Sequence, residues 1–277
     1  QANTGTGGRT ITMGDGDDVL DLGTNGAEAD DVFTGGGGID TLIIADETDV
    51  ELALTAGVSG FERLTASESG VTYVLTDFSN DQDFTIVRAN AAVVTFTGGR
   101  NVTTLEVNSA SDTTASFARL TDGAADSLTI KVAGTAAADV NTISAVDEES
   151  ITIDVNGADL GTTGQAVALT STDLTSLTIV GDNDVYLGAL SATGVATIDA
   201  TGLSGVLTVS AANATTSVTF TTNGATSNTG GATLTGGASD DTFTGTANVD
   251  YITGGGGNDT ITTGAGADTI RLDDVAA

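Results

Sequence analysis

Apolar residues recur at alternate positions in short bursts along most of the chain. The bursts are "FERLTA" from Phe61, "VTTLEV" from Val102, "DSLTIKV" from Asp126, "ESITIDV" from Glu149, "TSLTIVG" from Thr175, "VATIDA" from Val195 and "TSVTF" from Thr216. A period of two is that of a strand with one face buried and one exposed. Aligned on Leu105, Leu128, Ile151, Leu177, Ile198 and Val218, the bursts step by 23, 23, 26, 21 and 20 residues. A repeat of that length fits one coil of a β-solenoid, in which each coil buries its apolar face on the next. The rival is an antiparallel sandwich, whose turns come every roughly 8 to 12 residues. The spacing favours an all-β, parallel β-solenoid. "TIDATGLSGVLTVS" (197–210) reads as two strands around a Gly turn, and the Ala-rich "GTAAADV" (134–140) as a short helical turn.

Toward both ends the pattern changes. Asp241, Asp250, Asp259 and Asp268 are nine apart, each followed two residues later by Phe243, Ile252, Ile261 or Ile270. Related units occur near the start, at Asp18 with Leu20, Asp31 with Phe33 and Asp40 with Leu42. Three segments result: a Gly/Asp-rich stretch over 1–45, a Thr/Ala-rich stretch over 46–233 and a second Gly/Asp-rich stretch over 234–277.

Within a nine-residue unit the parts have separable roles. Glycines permit positive φ and let carbonyl oxygens crowd together where a Cβ would intrude. The Asp adds a hard anionic oxygen, and the apolar residue two places on turns into a core. Carbonyls plus carboxylates are a ligand set for Ca2+ and suit zinc or copper poorly. One turn offers too few oxygens, so an ion requires two stacked turns, and binding and stacking become a single event. The expected ligands are Gly14, Gly16, Asp18 and Asp31, then Gly35, Gly37 and Asp40. In the second segment they are Gly236, Asp241, Asp250, Gly254, Gly256, Asp259, Gly264, Gly266 and Asp268.

These units resemble the RTX nonapeptide, G-G-x-G-x-D-x-U-x, a Ca2+-binding β-helix repeat. "GGGGIDTLI" (35–43) and "GGGGNDTIT" (254–262) fit it at every fixed position. "TGAGADTIR" (263–271) lacks the first Gly, "GGASDDTFT" (236–244) has Ser239 for the third, and "GTANVDYIT" (245–253) keeps one Gly with Asp250 and Ile252. "MGDGDDVLD" (13–21) keeps Gly14, Gly16, Asp18 and Leu20, while the unit ending at Asp31 and Phe33 carries a four-residue insertion. The resemblance implies two units per coil of a β-roll, with Asp241 one coil from Asp259, Asp250 from Asp268 and Asp18 from Asp40. It also implies several Ca2+ ions, roughly three to six.

Composition narrows the function. There are 38 acidic and 7 basic residues, a formal net charge of −31. Such a surface repels nucleic acid and anionic lipid and attracts cations. Without Cys or His there is no disulfide scaffold, no thiol-ligated metal and no imidazole base. Without Pro, the turns fall to Gly, Asn and Asp. No apolar run approaches a membrane helix, and the N-terminus shows no signal-peptide core. Starting on Gln1, the chain reads as a processed or excised piece. The EF-hand-like stretches at Asp15, Asp17 and Asp182 lack the Gly of the sixth loop position, and no Gly-Lys-Ser/Thr follows the "GGGG" runs. Tyr73, Tyr186 and Tyr251 read as core or rim residues.

Two classes of function remain. The Thr/Ala/Gly-rich middle resembles the lattice-forming part of Gram-negative S-layer proteins of the RTX type. That implies a secreted, non-enzymatic protein at the bacterial surface, self-assembling with Ca2+ into a lattice or filament, and anchored to outer-membrane polysaccharide through a region outside this chain. The other class is a stalk of a large RTX adhesin or a polysaccharide-binding or processing β-helix. Its acid–base chemistry would fall to Asp147, Glu148 and Glu149 or to Asp182 and Asp184, which read more simply as solvated acidic turns.

Overall fold

A computed structural model describes residues 8–23, 27, 30–45, 57–78, 84–108, 113–134, 140–223 and 230–272. They form short strands joined by tight turns, in ladders that run parallel. The chain divides into two compact units, residues 1–109 with 115–121, and 110–114 with 122–277.

In the first unit, Val19–Asp21, Thr41–Ile44, Arg63–Ala66, Ile86–Ala89 and Thr104–Val107 pair in that order. Their register stacks Leu20, Leu42, Leu64, Val87 and Leu105 in one column. Thr10–Thr12, Val32–Thr34 and Gly57–Ser59 form a second face, which stacks Ile11, Phe33 and Val58.

In the second unit the longer face runs Ser127–Val132, Ser150–Asp154, Ser176–Gly181, Thr197–Leu203, Thr219–Thr222, Thr242–Thr244 and Thr260–Thr262. Leu128, Ile151, Leu177, Ile198, Phe220, Phe243 and Ile261 follow one another in register. The facing sheet runs Val185–Ala189, Leu207–Ser210, Ala232–Thr235, Tyr251–Thr253 and Thr269–Arg271, and stacks Val209, Leu234, Ile252 and Ile270. Strand pairs are therefore about one coil apart in sequence, which is the β-solenoid that the 20-to-26-residue spacing predicted. The two strands read in 197–210 are both present, but each joins a different sheet rather than closing a hairpin.

One alignment shifts. Ile198 pairs with Phe220, not Val218. Val218 sits in the turn before the strand, because Phe220 supplies the larger inward side chain and stacks on Phe243 at 4.7 Å between ring centroids. The core is thin but closed: Leu42, Leu64, Leu105, Ile151, Leu177 and Phe220 are fully buried. Each such side chain contributes about 1.5–3 kcal/mol relative to exposure. Outward positions are mostly Thr, whose branched Cβ suits an extended backbone. The helical turn read at 134–140 falls almost wholly outside the described residues. Tyr73 is a core residue and Tyr251, 55 % exposed, is on the rim.

Candidate calcium-binding turns

Each Asp of a nonapeptide sits immediately before a strand, so the parallel register places it over its counterpart in the neighbouring coil. The backbone N–H of Asp241 donates to Asp259 Oδ1 (2.9 Å), that of Asp250 to Asp268 Oδ1 (3.0 Å) and that of Asp18 to Asp40 Oδ1 (2.8 Å). These are the three pairs expected one coil apart. The carboxylates also reach into their own turns. Asp241 Oδ2 accepts Gly237 N–H (2.7 Å), Asp250 Oδ2 accepts Thr246 N–H (2.7 Å) and Asp18 Oδ2 accepts Gly14 N–H (3.2 Å). One side chain thus fixes both its turn and the coil below it.

The glycines explain why the backbone can come so close. A methyl group on Gly236 would overlap the carbonyl oxygen of Gly254 and the carboxylate of Asp241, and one on Gly245 would lie 2.5 Å from Asp250 Oδ2. Positive φ falls on the second and fourth positions of the complete units: Gly36 and Gly38 at 125° and 130°, Gly255 and Gly257 at 96° and 102°. Gly35, Gly37, Gly254 and Gly256, which the sequence reading named as ligands, are the alternate positions, first and third. The bare motif marks all four glycines alike; only the backbone turn separates those that must bend left-handed from those that make room for oxygens. In the unit at 263–271, Gly264 and Gly266 take the left-handed positions, as Gly16 does in the first.

The electrostatics call for a cation. Asp31, Asp40, Asp241 and Asp250 are all essentially buried. Burial pushes the Asp241 carboxyl above its usual range; the N–H groups of Val218 and Gly237 pull it back in part, and Asp259 and Asp240 push it up further. Buried carboxylates stacked on one another and on carbonyl oxygens form a hard-oxygen lining of the kind Ca2+ takes. No three acidic side chains converge among the described residues, so backbone carbonyls such as Gly254 O and Thr263 O must supply much of any ligand shell. The residues placed to hold Ca2+ are the stacked aspartates with those turn carbonyls, and the ion would supply the charge the turns lack.

Asp31 is handled differently. Arg9 donates from Nε to both its carboxylate oxygens, at 3.1 and 3.0 Å, and its guanidinium lies over the Phe33 ring. A guanidinium stands there where the other units present backbone N–H groups and, at Asp250, the Thr246 hydroxyl, which separates Asp31 from the other predicted ligands.

The acidic residues of the middle stretch serve the backbone too. Asp126 N–H donates to Glu149 Oε2 (2.7 Å), Asp184 N–H to Asp159 Oδ1 (2.8 Å) and Val206 N–H to Asp184 Oδ1 (2.7 Å), while Asp182 accepts the Ser204 hydroxyl. Partial desolvation, then the charges of Asp173, Asp147, Glu149 and Asp126, raise the Asp122 pKa. Glu62 escaped the sequence reading altogether. Asp40 N–H donates to its Oε2 (2.9 Å), as Asp18 N–H donates to Asp40. The signal was available, since Asp18, Asp40 and Glu62 are 22 apart, but a glycine-based motif does not register a Glu after "SGF".

Residues 25–43 and 235–270 match the family model of the RTX calcium-binding nonapeptide repeat, in four copies. No curated protein and no solved structure matched the chain. No helix among the described residues is long and apolar enough to cross a membrane. The chain thus carries RTX calcium-binding nonapeptides, built as turns of a parallel β-solenoid.

Proposed function

We propose that this chain is a non-enzymatic structural segment of a secreted RTX-type protein, which folds with Ca2+ and assembles with copies of itself at a bacterial surface as an S-layer lattice. The observation that carries the reading is the joining of Asp18 to Asp40, Asp241 to Asp259 and Asp250 to Asp268 through N–H to carboxylate bonds one coil apart. Through these bonds, neutralising the turns and stacking the coils become one equilibrium. At low Ca2+ the net charge of −31 opposes compaction; where Ca2+ is abundant, binding to the folded state alone draws the chain into it.

The test is a Ca2+ titration with far-UV circular dichroism and light scattering on the same samples, followed by negative-stain electron microscopy. The reading expects β signal to rise and ordered particles to form together on adding Ca2+, and both changes to reverse with chelator. A chain that folds with Ca2+ yet stays monomeric at high concentration points to an adhesin stalk. A fold indifferent to Ca2+ overturns the calcium reading itself.

A further inference from the structure

The turn above the N-terminal nonapeptide, Gly60–Phe61–Glu62, has none of the nonapeptide's glycine pattern, yet it repeats the geometry of a nonapeptide pair. Asp40 N–H donates to Glu62 Oε2 at 2.9 Å, as Asp241 N–H donates to Asp259 Oδ1 at 2.9 Å. A methyl on Gly35 would overlap the Gly60 carbonyl oxygen and lie 2.7 Å from Asp40 Oδ2. The same two oxygen types, Gly254 O and Asp241 Oδ2, crowd Gly236. Gly60 and Glu62 therefore take the places of Gly254 and Asp259.

One difference singles the site out. Asp241 Oδ2 accepts Gly237 N–H, but Asp40 Oδ2 has no hydrogen-bond partner although Asp40 is fully buried. Nor does the adjacent cation serve it: Arg63 turns its guanidinium to Glu106, at 3.2 Å, and to the Thr41 hydroxyl. An unpartnered buried carboxylate oxygen demands a counter-charge.

We infer that Asp40 Oδ2, the Gly60 carbonyl and the Glu62 carboxylate form a further divalent-cation site, between a nonapeptide turn and a turn outside the repeat. The inference rests on the reading of the nonapeptides as calcium sites. Carbonyl and carboxylate oxygens select a hard ion, and the loose geometry of a mixed turn favours Ca2+ over Mg2+, which demands a tight octahedron. Glu62 is only partly buried, so its side of the site is open to the ion.

The experiment is Ca2+ binding by isothermal titration to the full chain and to Glu62→Gln, with Asp259→Asn as reference. The amide of Glu62→Gln keeps an oxygen for Asp40 N–H but removes the charge, so a merely structural Glu62 would leave the isotherm unchanged. The expected result is a stoichiometry lower by one ion in Glu62→Gln, with the sites affected by Asp259→Asn intact. Identical isotherms for Glu62→Gln and the parent, with Asp259→Asn impaired, overturn this site and leave the nonapeptide reading standing. No Ca2+ binding by the parent overturns both. Hydrogen exchange on the parent chain decides the matter without any variant: Ca2+ must slow the amides of 60–62 as well as those of 254–259. Slowing at 254–259 alone is the overturning outcome.

Discussion

The same position in successive coils, the residue at the turn before the long-face strand, is filled in two ways. In the nonapeptide coils it is Asp18, Asp40, Asp241 or Asp259, a carboxylate that reaches an N–H of the preceding coil or of its own turn. Among the middle coils, three carry Thr85, Thr103 or Thr175 there, and the hydroxyls of Thr103 and Thr175 donate to the carbonyls of Thr85 and Glu149 at 3.2 and 3.0 Å, while Glu62, Asp126 and Glu149 keep a carboxylate at the same place. Both devices pin one coil to the previous one. The hydroxyl does so without charge and is complete in itself. The carboxylate leaves an anion that must be neutralised. The coils pinned by Thr are thus expected to lose less than the nonapeptide coils when the ion is removed, although the columns of apolar side chains run through both kinds.

The largest expected effect tests what the two regions share. Leu177→Ala removes a fully buried link of the apolar column and should cost about 2–5 kcal/mol, by the same amount with and without Ca2+ in denaturant unfolding. A loss that grows when Ca2+ is present would show that the middle is coupled to the ion after all. Next, Asp259→Ala should weaken Ca2+ binding about tenfold or more, roughly 1.4 kcal/mol, while Asp184→Ala, whose carboxylate only holds the N–H of Val206 and the Tyr186 hydroxyl, should leave the isotherm in place. Equal isotherms would erase the distinction between the two kinds of turn. Thr175→Val, which deletes the hydroxyl bond to Glu149 O, should cost about 0.5–1.5 kcal/mol and leave Ca2+ affinity untouched.

The smallest signal comes from a single titration. The Asp241 carboxyl is raised in the folded state, chiefly by burial. In chelator its contribution favours folding at pH below its unfolded value of 3.8 and is lost as pH rises through the folded pKa. Protection factors in 236–244, corrected for the intrinsic exchange rate, should therefore be higher in mild acid than at neutral pH, and Asp241→Asn should flatten that slope. A slope of opposite sign would mean that the N–H donors from Val218 and Gly237 outweigh burial.

The apolar periodicity carried most of the fold. The alignment of Leu128, Ile151, Leu177 and Ile198 is the observed register, since a strand that slipped by one residue would turn Thr inward. It failed at Val218, which is also buried but lies in the turn before the strand, while Phe220 holds the strand's place in the column and packs on Phe243. The acidic turns were legible where a fixed nine-residue step repeats, which is why Asp241, Asp250, Asp259 and Asp268 fell into pairs correctly. Glu62 was missed although it continues the 22-residue step of Asp18 and Asp40, because a motif built on glycines does not register it and its bond to Asp40 N–H shows only across coils. The pairing of Asp31 with Arg9 was hidden for the same reason, as the two are 22 residues apart. The division between glycines that bend and glycines that make room is a property of backbone angles, visible only once the turn is built.

The parallel register has a mechanical consequence. Each strand is tied to partners 18 to 26 residues away and to nothing further along its sheet. A force applied at the chain ends therefore has no single cooperative lock to break. It should peel one coil at a time, releasing about 60–90 Å of chain per event at the reach of an extended backbone. Coils tightened by Ca2+ would act as latches in such a pull, so that the tension the molecule bears is set by its salt environment.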